Sequence, residues 1–161
     1  MDLSGDHTFP PLRSDSDRDY TGAVGAWYTI GLCLGLGLGM GVILSGLLAS
    51  TAVGASVAAL VGAAAGAVVG LLLGDAAETI AGGIAGFVGA VSAAAVAYGA
   101  FRRGATRLGV AVYLGVAGLL VCLLALIPVA GYVEAVALPV LAARMRGRRA
   151  PRFAGLRTLA K

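Results

Sequence analysis

Residues 52–73 read AVGASVAALVGAAAGAVVGLLL, twenty-two residues without a charge, with a small residue at every fourth place: Gly54, Ala58, Gly62, Gly66 and Gly70, continued by Gly74. A hydrocarbon core about 30 Å thick takes about 20 helical residues to cross, so this stretch is one membrane span. Residues four apart share a helix face, so the small residues form a track without side chains along it. The strict polar–apolar alternation of a β-barrel strand is absent, and helices are the expected element.

Working outward, residues 22–101 carry only two charges, Asp75 and Glu78. Ser50 and Thr51 separate a first run from the quoted one. Gly74 to Thr79 separates the quoted run from a third, in which Gly82, Gly86, Ala90 and Ala94 repeat the spacing and Ala85, Gly89, Ala93 and Ala97 add a second row. Asp75 with Glu78 three residues on has the spacing of a capping box, which makes the pair structural. The two tracks, joined by this short acidic turn, are expected to form a tight hairpin. In lipid the hydrophobic effect does not drive helix to helix, and close backbone contact has to do so.

Residues 108–143 carry one charge, Glu134. As one helix they would run about 54 Å, which overshoots a bilayer. The break is expected at Ile127-Pro128-Val129-Ala130-Gly131, because proline removes a backbone donor and clashes with the preceding turn. The segment from Tyr132 to Ala143 is short and contains Pro139. It is a kinked fifth span, a re-entrant segment or an interfacial helix. The expected fold is therefore an all-α polytopic transmembrane bundle, with five spans or with four plus that last segment. The spans fall at about 22–48, 52–73, 79–101, 108–127 and 131–146, within a membrane domain of residues 21–143.

The charges set the flanks. Five of the eight acids lie in residues 1–20, which read as a disordered acidic tail, and seven of the twelve bases lie in residues 144–161, a basic tail. Arg102, Arg103 and Arg107 form a second basic cluster; Arg144, Arg146, Arg148 and Arg149 open the tail. Lys and Arg in short loops collect on the cytoplasmic side. Five spans put both clusters inside and the acidic head outside, in a bacterial-type cytoplasmic membrane; four spans force one cluster out. With 59% hydrophobic and 12% charged residues among 161, the chain lacks the roughly one-quarter charged composition of soluble domains. The bases flank apolar runs instead of spreading over an aromatic-rich face, which argues against nucleic acid as a partner. The expected partners are the bilayer, with anionic headgroups near the arginines, and a second copy or another membrane protein.

Residues from Ala59 to Ala97 resemble the glycine-zipper two-span domain, with Gly62, Gly66, Gly70 and Gly74 and then Gly82 and Gly86 as the matching positions. Such domains occur in envelope-associated proteins, membrane oligomers and pore-forming toxins. The resemblance implies close helix association and self-assembly, and no particular chemistry. The first run, with Gly31, Gly35, Gly37, Gly39 and Gly41, looks like the glycine-rich helix of the ATP synthase rotor ring. That family needs a carboxylate in the middle of the partner helix, and residues 52–73 have none, so the rotor reading is rejected.

Little here could carry catalysis. His7 is the sole histidine, none of Ser45, Ser50, Ser56 and Ser92 stands near a histidine or lysine in sequence, and neither a cofactor nor a metal site is expected. Glu134, with Tyr132 beside it, is the exception. At bilayer depth an ionisable residue costs about 2.5 to 3.5 kcal/mol and is a functional candidate, either on a pathway or as a polar anchor. Near the start of a helix it would instead sit in headgroup water, favoured by the helix dipole. The function that follows is a non-enzymatic, structural or assembly role in the membrane. The alternative is a small-solute or ion transporter or channel with Glu134 on the path.

Overall fold

The computed structural model describes residues 15–147, and every regular element among them is an α-helix: α1 Asp15–Leu48, α2 Ala52–Leu73, α3 Ala76–Phe101, α4 Arg107–Leu124 and α5 Pro128–Gly147. Four stretches, Gly25–Leu48 within α1 and the whole of α2, α3 and α4, are long and apolar enough to cross a membrane, as in a membrane protein.

Local chemistry sets the helix ends. The Thr51 hydroxyl accepts from the Gly54 N–H at 3.0 Å at the start of α2, and the Thr106 hydroxyl accepts from the Gly109 N–H at 3.2 Å at the start of α4. Asp75 is the N-cap of α3, and its N–H donates to Glu78 Oε2 at 3.1 Å. Gly104, with φ of 85°, turns the chain between α3 and α4. Pro128 is the first residue of α5, where the N–H it lacks would have had no helical partner. The helix α1 begins at Asp15, inside the segment read as an acidic tail. Residues 1–14, and the basic tail from residue 148 with Arg148 and Arg149, lie outside the described residues.

The helix α1 is the hub. It packs against each of α2, α3, α4 and α5, whereas α2 touches only α1 and α3. Its alternating glycines explain how one helix serves two sets of neighbours. Successive helical residues turn by about 100°, so residues two apart point about 200° apart, and Gly35-x-Gly37-x-Gly39-x-Gly41 resolves into two opposed tracks. A Cβ built on Gly37 would meet the Gly82 carbonyl oxygen, and one on Gly41 the Gly86 carbonyl oxygen, both on α3. On the opposite face a Cβ on Gly35 would meet Ala125, and one on Gly39 the Cys122 thiol. Thus α1 has the α2–α3 hairpin on one face and the α4 and α5 helices on the other, while α3 also reaches α4 and α5.

The hairpin approaches as closely. A Cβ on Gly62 would lie 2.9 Å from the Gly86 carbonyl oxygen, and one on Gly66 would run into the Gly82 carbonyl oxygen. Gly62, Gly66, Gly70, Gly82, Gly86 and Gly89 are all buried. Gly54 and Gly74 sit at the two ends of α2, the first against the Leu48 carbonyl oxygen and the second beside the Glu78 side chain. Larger side chains take over further along: Val42, Ala93, Ala97, Val110 and Leu114 form a core cluster joining α1, α3 and α4, with Leu138 of α5 against it.

The helices run up and down, so charge separates by end. Asp75 and Glu78 lie where α2 meets α3; Arg102, Arg103 and Arg107 lie where α3 meets α4. The helix α5 runs parallel to α1, with Gly131 against the Gly31 carbonyl and Leu138 near Val42, which brings Arg144 and Arg146 to the arginine end.

Candidate functional site

Three polar contacts among the described residues join α1 to other helices. Thr29 of α1 donates its hydroxyl to Glu78 Oε1 of α3 at 2.8 Å, while the other carboxylate oxygen accepts from the Asp75 N–H. Glu78 is 7% exposed, so its capping role is joined to a tie between α1 and α3. Thr29 was not singled out in the sequence. Its one signal was a hydroxyl residue a turn inside the apolar boundary of the first run.

On the other side of α1, the Tyr132 hydroxyl donates to the Trp27 carbonyl oxygen at 2.8 Å, and the two rings lie 6.3 Å apart at 47°. Both residues lie near the acidic end, where amphipathic rings favour the headgroup layer. The bond is solvent-accessible, so Tyr132→Phe is expected to cost about 1 kcal/mol or less in thermal unfolding. Trp27 is the sole tryptophan, so its fluorescence reports this seam. Emission should stay near that of the wild type in Tyr132→Phe and change in Tyr132→Ala, which also removes the ring.

Glu134 lies two residues further along α5 and in a different setting. Both carboxylate oxygens are buried and have no hydrogen-bond partner among the described residues. The side chain points at α1, where Oε2 would lie 3.1 Å from a Cβ built on Gly35. The apolar part of α1 runs from Gly25 to Leu48, so Gly35 is about 15 Å from one end and about 20 Å from the other at 1.5 Å per residue. Glu134 therefore lies beside the middle of the apolar stretch of α1. It stands six positions after Pro128, the first residue of α5, beyond the first turn in which a helix dipole acts. The missing Cβ of Gly35 leaves the room that the carboxyl occupies.

On α4, the thiol of Cys122 donates to the Leu36 carbonyl oxygen at 3.9 Å, a weak contact. Cys33 is buried in α1, and both cysteines are free. Ser45 Oγ and the Tyr98 hydroxyl are also buried without a partner. Among the described residues no three His, Cys, Asp or Glu side chains come together to hold a metal ion. Arg102, Arg103, Arg107 and Arg144 are exposed at the end of the bundle remote from Asp75 and Glu78.

The structure thus brings Glu134 to Gly35, Tyr132 to Trp27 and Glu78 to Thr29, all on α1, and leaves the arginines apart from these groups. No family model matches the chain, and neither a curated protein nor a solved structure matches it.

Proposed function

We propose that the chain is a five-pass integral membrane protein with a structural, non-catalytic role, its N-terminal end outside and its C-terminal end in the cytoplasm. The observation that carries the reading is the position of α1, held from two opposed faces by backbone-close contacts to α2 and α3 and to α4 and α5. In this reading the glycine tracks act as a zipper within one chain. Assembly with a second copy or another membrane protein falls to the remaining apolar exterior, such as Val53, Val57, Leu60 and Val68 of α2, which are exposed.

The fifth pass is supported by the 20-residue length of α5 and by its running beside α1 from Gly31 to Val42. The orientation rests on Arg102, Arg103, Arg107 and Arg144 lying at one end, the cytoplasmic end by the positive-inside rule. These arginines would also meet anionic headgroups. Accessibility tags at residues 76, 104 and 161 are expected to report 76 outside and both others inside. Tags at 104 and 161 on opposite sides would overturn five passes.

A second reading, a carrier or channel for an ion or small solute, is favoured by one observation, the unpartnered Glu134 carboxyl beside the middle of the apolar stretch of α1. Reconstituted vesicles discriminate the two. The structural reading expects no ion or solute flux above that of protein-free vesicles. Flux that disappears in Glu134→Gln would replace it with the carrier reading, and flux that survives both Glu134→Gln and Pro128→Ala would remove the proposed path.

A further inference from the structure

We propose that Glu134 is a proton-binding site inside the bundle, its carboxyl held as the neutral acid near mid-depth and exchanging one proton with water. The inference deepens the carrier reading by naming the ligand and rests on the same carboxyl; it does not depend on the structural role.

An ionised carboxylate only accepts, and both oxygens of Glu134 are buried with no donor in reach. In surroundings of low polarity a lone, unpaired ion is the costliest state a side chain can take. Binding a proton removes the charge and turns one oxygen into a hydroxyl; releasing it to water restores the carboxylate. Glu78 is the internal contrast, since its oxygens accept from the Thr29 hydroxyl and the Asp75 N–H at the start of a helix.

Among the described residues the neighbours supply no counter-charge. The side chain meets α1 at Gly35, which has nothing to titrate, and Cys33 of α1 lies toward Glu78. From α4 the titratable groups are Cys122, which faces Glu134, and Tyr113, which lies further along beside Leu138 and Leu141 of α5. Within α5 the Tyr132 hydroxyl is committed to the Trp27 carbonyl. On α3 the titratable groups are Glu78 and Tyr98; α2 carries none and makes no contact with α5. The arginines at 102, 103, 107 and 144 belong to the other end.

A proton fits this site and a metal ion does not. Hard cations take about six or more oxygen ligands, and among the described residues no cluster of acidic side chains supplies them. A proton needs one lone pair.

The test uses the whole chain in phosphatidylcholine vesicles and a hydrophobic carbodiimide, which adds to a protonated carboxyl reached from lipid. Peptide mass analysis is expected to find the adduct on Glu134 and not on Glu78 or Asp75, with labelling falling as pH rises. Infrared spectra should show the carbonyl stretch of a protonated carboxyl, lost in Glu134→Gln and kept in Glu78→Gln. Absence of both adduct and band at acid and neutral pH overturns the site, as does a band that persists in Glu134→Gln. Should that variant fail to fold, labelling of the unmodified chain decides alone. A band and an adduct without ion flux would leave the proton site standing while the carrier reading falls.

Discussion

Gly66→Leu is expected to unfold the bundle, while Gly115→Leu leaves it folded. A Cβ on Gly66 runs into the Gly82 carbonyl oxygen, lies 2.8 Å from the carbonyl carbon and 3.3 Å from the Gly37 Cα. These are main-chain atoms of α3 and α1, and no rotamer moves them aside. Overpacking a core costs about 1–3 kcal/mol when side chains can yield. Here whole helices must separate, so the loss should exceed that range. Because α2 then leaves both α1 and α3, the effect is on the fold of one chain and not on its assembly alone. Gly115 of α4 has nothing within 4 Å of its added Cβ. A side chain there enters open space, and Gly115→Ala should be neutral or slightly stabilising, given the roughly 1 kcal/mol by which alanine exceeds glycine in helix propensity in water. The measurement is helicity by circular dichroism on heating in detergent, with the fraction remaining monodisperse. Equal melting of Gly66→Leu and the wild type would remove the close contacts from the account of the fold.

What could be read beforehand follows from which physics is local. Span lengths, the breaks at Ser50, Asp75 and Pro128, and the separation of acids from arginines are properties of consecutive residues. They lead directly to an all-helical bundle with four apolar helices. The role of α1 did not emerge that way. Gly35-x-Gly37-x-Gly39-x-Gly41 was compared with a rotor helix, although the geometry of 100° per residue already splits it into two tracks. A hub needs partners on both faces, and partnership between distant segments is not written in either one. The Thr29–Glu78 tie was hidden for the same reason, since forty-nine residues separate its ends. For Glu134 the sequence left two settings open, headgroup water near a helix start or bilayer depth. The register of α5 against α1 places it beside Gly35.

Glu134→Met is expected to stabilise the folded protein. Methionine has a similar length and fills the space that Gly35 leaves, while removing two oxygens that no donor meets. A buried polar group left unsatisfied costs about 1–3 kcal/mol, and replacing it with an apolar one of the same shape recovers part of that cost. The gain should appear as a higher midpoint in thermal or denaturant unfolding in detergent. The sign of that change separates two explanations for a carboxyl at this position. If Glu134 served only to fasten α5, its removal would loosen α5 from α1, and the midpoint would drop. If instead the fold bears the group at a cost, stability and activity pull in opposite directions there, the pattern expected where a site is kept for what it binds. The expected outcome therefore pairs a raised midpoint with loss of the carbodiimide adduct in the same variant. A lowered midpoint would mean that the carboxyl has a partner, such as a water held between α1 and α5, and that its removal leaves that partner unsatisfied.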